Sequence, residues 1–260
     1  MAAFSTRVSE VGPGTVNLRG YSLDAVMREL SYTEGAFLTL VGRLPSAAET
    51  RLTDCILSSL LDHGFVASTI TAARYIASGN PQFIPAVAGG VLAAGSNTLS
   101  PEHSFHMLER AAAIRAEEDL DIDAAAARVV QETRAEGRRL PGLGHPTHKT
   151  SDFRADVLFS LAEELGLAGE SIAQLHAIHQ SFIASSGKFL PINIDGALAA
   201  VCRDLGLSYL QTTALAVLSV LPGLMAHVVE EIDEGRPLRH ITDGEYVGNS
   251  LTSLHRSRAS

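Results

Sequence analysis

Apolar residues recur at three- and four-residue intervals along almost the whole chain, and this constrains the fold more than any other feature. In ADVLFSLAEELG, Val157, Leu158, Leu161 and Leu165 form one stripe and acidic residues fill the other side, the pattern of a helix with one buried face. Asp152 precedes it as an N-cap, and Gly166 and Gly169 follow where a helix stops. The same reading gives helices over Leu23 to Leu40, Ala47 to Leu61, Phe65 to Ala77, His103 to Arg115 and Ala124 to Gly137. No segment keeps the two-residue alternation of a half-buried strand beyond a few positions, so the expected class is all-α. Two stretches break the pattern: GNPQFIP (Gly79 to Pro85), ahead of the small-residue run AVAGGVLAAG, and RRLPGLGHPTHKTSDFR (Arg138 to Arg154). No repeat or long linker divides the chain, and one compact unit is expected.

Composition narrows the function. A net charge of -9 over 260 residues argues against broad contact with nucleic acid or an anionic membrane and leaves a small ligand as the expected partner. Cys55 and Cys202 stand far apart without CxxC spacing, which suggests neither a disulfide framework nor a thiolate zinc site. The opening residues lack a basic segment followed by an apolar one, so no secretory leader is read and a cytoplasmic location is expected. Leu210 to Val229 reaches membrane-spanning length, but Gln211, Thr212, Thr213, Ser219, Pro222 and His227 interrupt it, which suits a buried helix better.

Four elements carry residues with chemistry. The loop from Gly142 to Arg154 offers two glycines around Leu143, then His145, His148, Lys149, Asp152 and Arg154. Backbone N–H groups and cations in such a loop suit an anion, and solvated surface charge is the alternative. In LPINIDGALAAV, Asp195 sits within apolar sequence. A desolvated carboxylate there could exchange a proton with carbon, although a helix cap is the simpler reading. His63 lies at a helix junction, and His227 reads as a structural histidine in a helix that ends before Arg239. His103 with His106, and His176 with His179, have metal-compatible spacing but no third ligand in sequence, so no metal is expected.

Taken together and in order, these elements resemble citrate synthases and the citryl-CoA lyase module of ATP-citrate lyase. The matching segments are the entry NLRGYSLDAVMRELSYTEGAFLTLVGRLPSAAE, then DHGFVASTITAARYIASG, PGLGHPTHKTSDFRA, PINIDGALAAVCRDLG and AHVVEEIDEGRPLRHITDGEYVG. The resemblance implies an all-helical fold with a large domain (about 1–137 and 210–260) and a small one (about 138–209). It implies coenzyme A, as acyl-CoA, for the substrate, and a homodimer. It assigns His145 to the proton on the 2-oxo or hydroxyl oxygen and Asp195 to the proton on the acyl-CoA α-carbon. His63 and Arg154 would hold a substrate carboxylate, Arg239 would reach that site from the partner subunit, and Gly142, Leu143, Gly144 and Lys149 would lie along CoA.

Three departures qualify this. Thr98 stands where synthases supply the histidine that polarises the thioester carbonyl, leaving Asn97, Thr98 or His103 as replacement donors. Val220 occupies the place of a second carboxylate-binding arginine, which points to a less carboxylated substrate. The segment between Pro45 and His63 is short, as in stand-alone lyases. The resemblance therefore implies a lyase acting on citryl-CoA or a related 3-hydroxy-3-carboxyacyl-CoA. A citrate or methylcitrate synthase and a catalytically silent homologue that binds an acyl-CoA or organic acid are the alternatives.

Overall fold

A computed structural model describes residues 4–251; residues 1–3, on which the reading against a leader partly rests, lie outside them. Its elements are, in order, a small antiparallel sheet (β1 Ser9–Gly12, β2 Thr15–Leu18, β3 Tyr21–Ser22) and the helices α1 Leu23–Glu29, α2 Tyr32–Val41, α3 Ala47–Ser59, α4 Ser68–Gly79, α5 Phe83–Leu92, α6 Pro101–Glu118, α7 Ile122–Ala135, α8 Phe153–Glu164, α9 Glu170–Ser186, α10 Ile194–Asp204 and α11 Tyr209–Glu234. The all-α expectation stands. The sheet was not legible because its strands are at most four residues long and largely exposed, too short to show an alternation. The single helix read over Leu23 to Leu40 is two, because Ser31 caps α2. Its hydroxyl accepts from the Glu34 N–H, and the Glu34 carboxylate accepts from the Ser31 N–H at 2.8 Å, a reciprocal arrangement that starts a new helix.

The main core joins α2, α3, α6, α7, α8, α9, α10 and α11 through residues such as Phe37, Ile56, Leu108, Val130, Leu158, Leu175, Leu198 and Leu215. Burying a Leu or Phe of this kind stabilises by about 1.5–3 kcal/mol each. A second cluster, Ile70, Ala73, Ala77, Ala86, Leu224 and Val228, joins α4 and α5 to the C-terminal half of α11. Close approach there needs the small residues read in AVAGGVLAAG: a Cβ on Gly90 would lie 2.6 Å from Leu224 Cδ1 and 2.9 Å from the Thr69 carbonyl oxygen. By length and composition α11 could cross a membrane. Here Thr212, Leu215, Ala216, Ser219, Gly223, Leu224 and Val228 are buried, and the helix packs on α2, α3, α4, α5, α6 and α10.

Candidate active site

Two distant segments are stitched together to build the site. Leu143 and Ile192 form an antiparallel bridge. Gly144 N–H donates to the Pro191 carbonyl at 2.7 Å, Asn193 N–H to the Gly142 carbonyl at 2.9 Å, and Asn193 Nδ2 to the Gly144 carbonyl at 2.8 Å. The Asn193 side chain also caps α10 by accepting from the Gly196 N–H at 3.1 Å. Gly142 has φ +77°, and a Cβ there would stand 2.8 Å from the Gly196 Cα. Only glycine tolerates both that backbone and that approach. The result is that His145 and Asp195, fifty residues apart in sequence, line one cleft.

Asp152 and Arg154 brace this junction. Arg154 Nε and Nη2 each donate at 2.8 Å to the two carboxylate oxygens of Asp152, and both side chains are buried. The same carboxylate accepts from the N–H of Ile194 at 3.0 Å, tying the start of α8 to the start of α10. Burial works to raise the Asp152 pKa, but the Arg154 guanidinium and the backbone N–H donors prevail and hold it below the usual carboxylate range.

Three imidazoles gather beside that pair. The rings of His63, His145 and His148 have centroids 4.5–5.5 Å apart. His145 Nδ1 accepts from the N–H groups of Thr147 (3.1 Å) and His148 (3.0 Å), while its Nε2 lies a longer 3.5 Å from Arg154 Nη2. The shorter contacts decide the tautomer: the ring proton sits on Nε2. Burial first, then the nearby His148 and Arg154, push the His145 pKa down to about 4, so the ring is neutral at physiological pH. Burial, Arg154 and His148 also lower His63. The Nε2 atoms of His63 and His148 are buried without a hydrogen-bond partner. One ligating nitrogen from each ring lies within 4.8 Å of the others, a donor set for a transition metal. The Arg154 charge and the commitment of His145 Nδ1 to its own loop work against a cation there.

Asp195 lines, together with His63, His145, Arg154, Asn193 and the tight turn Gly95 to Thr98, a cleft of about 760 Å³. Protein packed around the Asp195 carboxyl pushes its pKa up, opposed by a 3.3 Å hydrogen bond from Ser100 N–H and by Arg154. Asn97 and Thr98 line the same cleft, as does Val220. A carboxyl shifted toward protonation, a neutral imidazole and a guanidinium on one cleft form a set able to move a proton to or from carbon beside a bound anion.

The remaining expected residues lie elsewhere. Lys149 Nζ donates to the His145 carbonyl at 3.0 Å, closing its own loop. Arg239 lies in a second cavity with Arg74 and Arg236, its guanidinium on Glu231 of the same chain, with Nη2 at 2.9 Å. His227 bridges Arg74 and Asp62, in keeping with a structural role. His106 pairs with Glu109, and His179 holds the Leu190 carbonyl at 2.8 Å, so one member of each histidine pair seen in sequence has another partner. Sequence reasoning did not single out Asn193, Ser100 or the full part played by His148; Asn193 had a signal in its place just before an apolar helix.

The sequence and the fold match known proteins. Residues 1–241 match the family described as citrate synthase, C-terminal domain. The chain belongs to the citrate synthase family. Among citrate synthase relatives, Citrate synthase 2 of Bacillus subtilis is 27% identical over 81% of this chain and 55% of its own length. The 2-methylcitrate synthase of Shewanella oneidensis is 28% identical over 82% and 55%. The chain thus spans about half the length of these synthases. The structure of citryl-CoA lyase from Hydrogenobacter thermophilus superposes with a TM-score of 0.87 at 28% identity, covering 97% of this chain and 98% of that one. ATP citrate lyase from Methanothrix soehngenii shares the fold at TM-score 0.78 and 20% identity, with 96% of this chain on 42% of that one.

Proposed function

We propose that the chain is a CoA-dependent carbon–carbon lyase that cleaves citryl-CoA or a related 3-hydroxy-3-carboxyacyl-CoA to an acyl-CoA and a 2-oxo acid. The observation that carries this reading is the meeting of His63, His145, Arg154 and Asp195 on one cleft. The end-to-end match to a citryl-CoA lyase supports it.

In this reading His63 and Arg154 hold the carboxylate on the third carbon. His145 works at the oxygen of that carbon: its Nε2–H suits donation to a ketone oxygen during condensation, and by microscopic reversibility the same nitrogen, once it has passed that proton to solvent, receives the hydroxyl proton in cleavage. The two N–H groups on Nδ1 stabilise the negative charge that the ring takes on when Nε2 is without its proton. Asp195 moves the proton of the α-carbon, and its raised pKa makes it a proton donor to the thioester enolate that cleavage leaves behind. Asn97 or Thr98 supplies the hydrogen bond to the thioester oxygen, and Gly142, Leu143, Gly144 and Lys149 lie along CoA. Residues 138–209 form the small lobe, and the protein acts in the cytoplasm. A second copy covers the apolar side chains exposed on α5, Phe83, Ile84 and Leu92.

The test is to incubate the protein with citryl-CoA, follow oxaloacetate by coupling to malate dehydrogenase, and run Asp195→Asn beside it. Oxaloacetate formed by the wild type and lost in the variant is the expected result. The synthase reading is favoured by the curated relatives and predicts instead free thiol from acetyl-CoA and oxaloacetate. Absence of either activity, with acyl-CoA still bound, would leave a binding homologue.

A further inference from the structure

We propose that the third carbon of the substrate carries an alkyl arm beside its hydroxyl and its single carboxylate, so that the oxo acid released is a 2-oxo monocarboxylic acid, and that Val220 selects that arm. This rests on the lyase reading and narrows its substrate class.

The charges on the cleft carry the argument. Among the described residues lining it, Arg154 is the one lysine or arginine, and one edge of its guanidinium is already taken by Asp152 at 2.8 Å. Lys149 is turned back on the His145 carbonyl. Arg239 is held by Glu231, whose carboxylate it shares with Arg74, and leaving for another cleft would break that triad. On the same lining stand two carboxylates, Asp62 and Asp195, and Asp62 is paired with His227 at 3.1 Å. A substrate with one carboxylate meets its cation. One with two would place the second where no further lysine or arginine lines the cleft, among Asp62, apolar side chains and neutral hydroxyl and amide groups.

The apolar wall says what fits instead. Leu60, Val66, Ile70 and Val220 line the cleft, and Val220 is packed against the main core from α11. A carboxylate brought against such a surface loses its water and gains no partner, whereas a methyl or ethyl group gains by burial. The bond changes are the same for either arm. The hydroxyl proton leaves to the Nε2 of His145, which has first passed its own proton to solvent; the bond between the second and third carbons breaks with its electron pair kept on the α-carbon, the third carbon becomes a ketone, and Asp195 gives a proton to the α-carbon and is reprotonated from solvent. No oxidant or co-reactant enters.

The experiment compares kcat/KM of the full chain for citryl-CoA, with its carboxymethyl arm, and for 3-carboxy-3-hydroxybutanoyl-CoA, with a methyl arm. The oxo acids are read by malate and lactate dehydrogenase. The methyl arm is expected to win by about tenfold or more, the scale of one missing charge-assisted hydrogen bond; equal or better use of citryl-CoA overturns the inference. Val220→Arg should move the ratio toward citryl-CoA, and Val220→Ala toward an ethyl arm. If neither variant shifts the ratio, Val220 is not the selector. The wild-type ratio decides the substrate class whether or not the arginine variant folds. Should neither thioester be cleaved, the lyase reading fails, and calorimetry with pyruvate and oxaloacetate in the presence of CoA still reads the inference. Tighter pyruvate supports it and tighter oxaloacetate overturns it.

Discussion

Asp195 must ionise, at some point in any turnover, where its surroundings disfavour the ion. Its folded pKa is raised by burial above the unfolded value. Its contribution to stability is therefore present below the unfolded pKa of about 3.9 and lost as pH rises through the folded one. At neutral pH the ionised carboxylate is a cost, so Asp195→Asn should raise the melting temperature at pH 7. The same change should lower turnover by about a hundredfold or more, and calorimetry beside the cleavage assay checks both. A variant less stable at pH 7 would mean that the carboxylate is better paired than its surroundings suggest. In solvent-deuterium exchange at the α-carbon of an acyl-CoA, Asp195 must be ionised and His145, with a pKa near 4, neutral. The rate should then rise with pH, with its acid limb displaced above the ordinary carboxylate range. The four residues that meet on the cleft were legible through the ordered resemblance of their segments; by type alone Asp195 read as a helix cap and the loop of His145 and Arg154 equally as solvated charge. Ser100 was not, because its task depends on a partner 95 positions away.

At the scale of elements, the junction of α8, α10 and the loop before α8 decides whether a site exists. Asp152 was readable as a cap but not as the carboxylate that also pairs Arg154 and receives the Ile194 N–H, since nothing in a linear pattern reports a bond across forty-two residues. Asp152→Ala strands a buried guanidinium and should cost about 3–5 kcal/mol, seen as a lowered midpoint in urea unfolding. Gly196→Ala puts a methyl group 2.8 Å from the Gly142 carbonyl oxygen and 3.0 Å from its Cα. Both neighbours are backbone and yield little, so a loss of about 1–3 kcal/mol is expected, with turnover falling further than stability. Helix periodicity found most elements because their buried faces are long. It fused α1 with α2 because the Ser31 cap interrupts an otherwise continuous apolar stripe.

For the whole molecule the open question is what covers α5. Ile84 and Leu92 are 77% and 84% exposed, on a helix whose other side is packed against α4 and α11. If a second copy covers them, light scattering should give twice the chain mass, and Ile84→Glu should return it to the single-chain value with its secondary structure intact. A wild-type monomer would leave that face open and would also remove the partner-subunit role that the resemblance implied for Arg239. The glycine contact between Gly142 and Gly196 has a further consequence for how substrate gets in. Backbone against backbone leaves no slack, so His145 and Asp195 behave as one fixed jaw and cannot part to admit a thioester. Any breathing that opens the cleft is expected in the part of its wall that this contact does not hold, the Gly95 to Thr98 turn, and the pace of entry and exit is expected to be set there rather than at the residues that move protons.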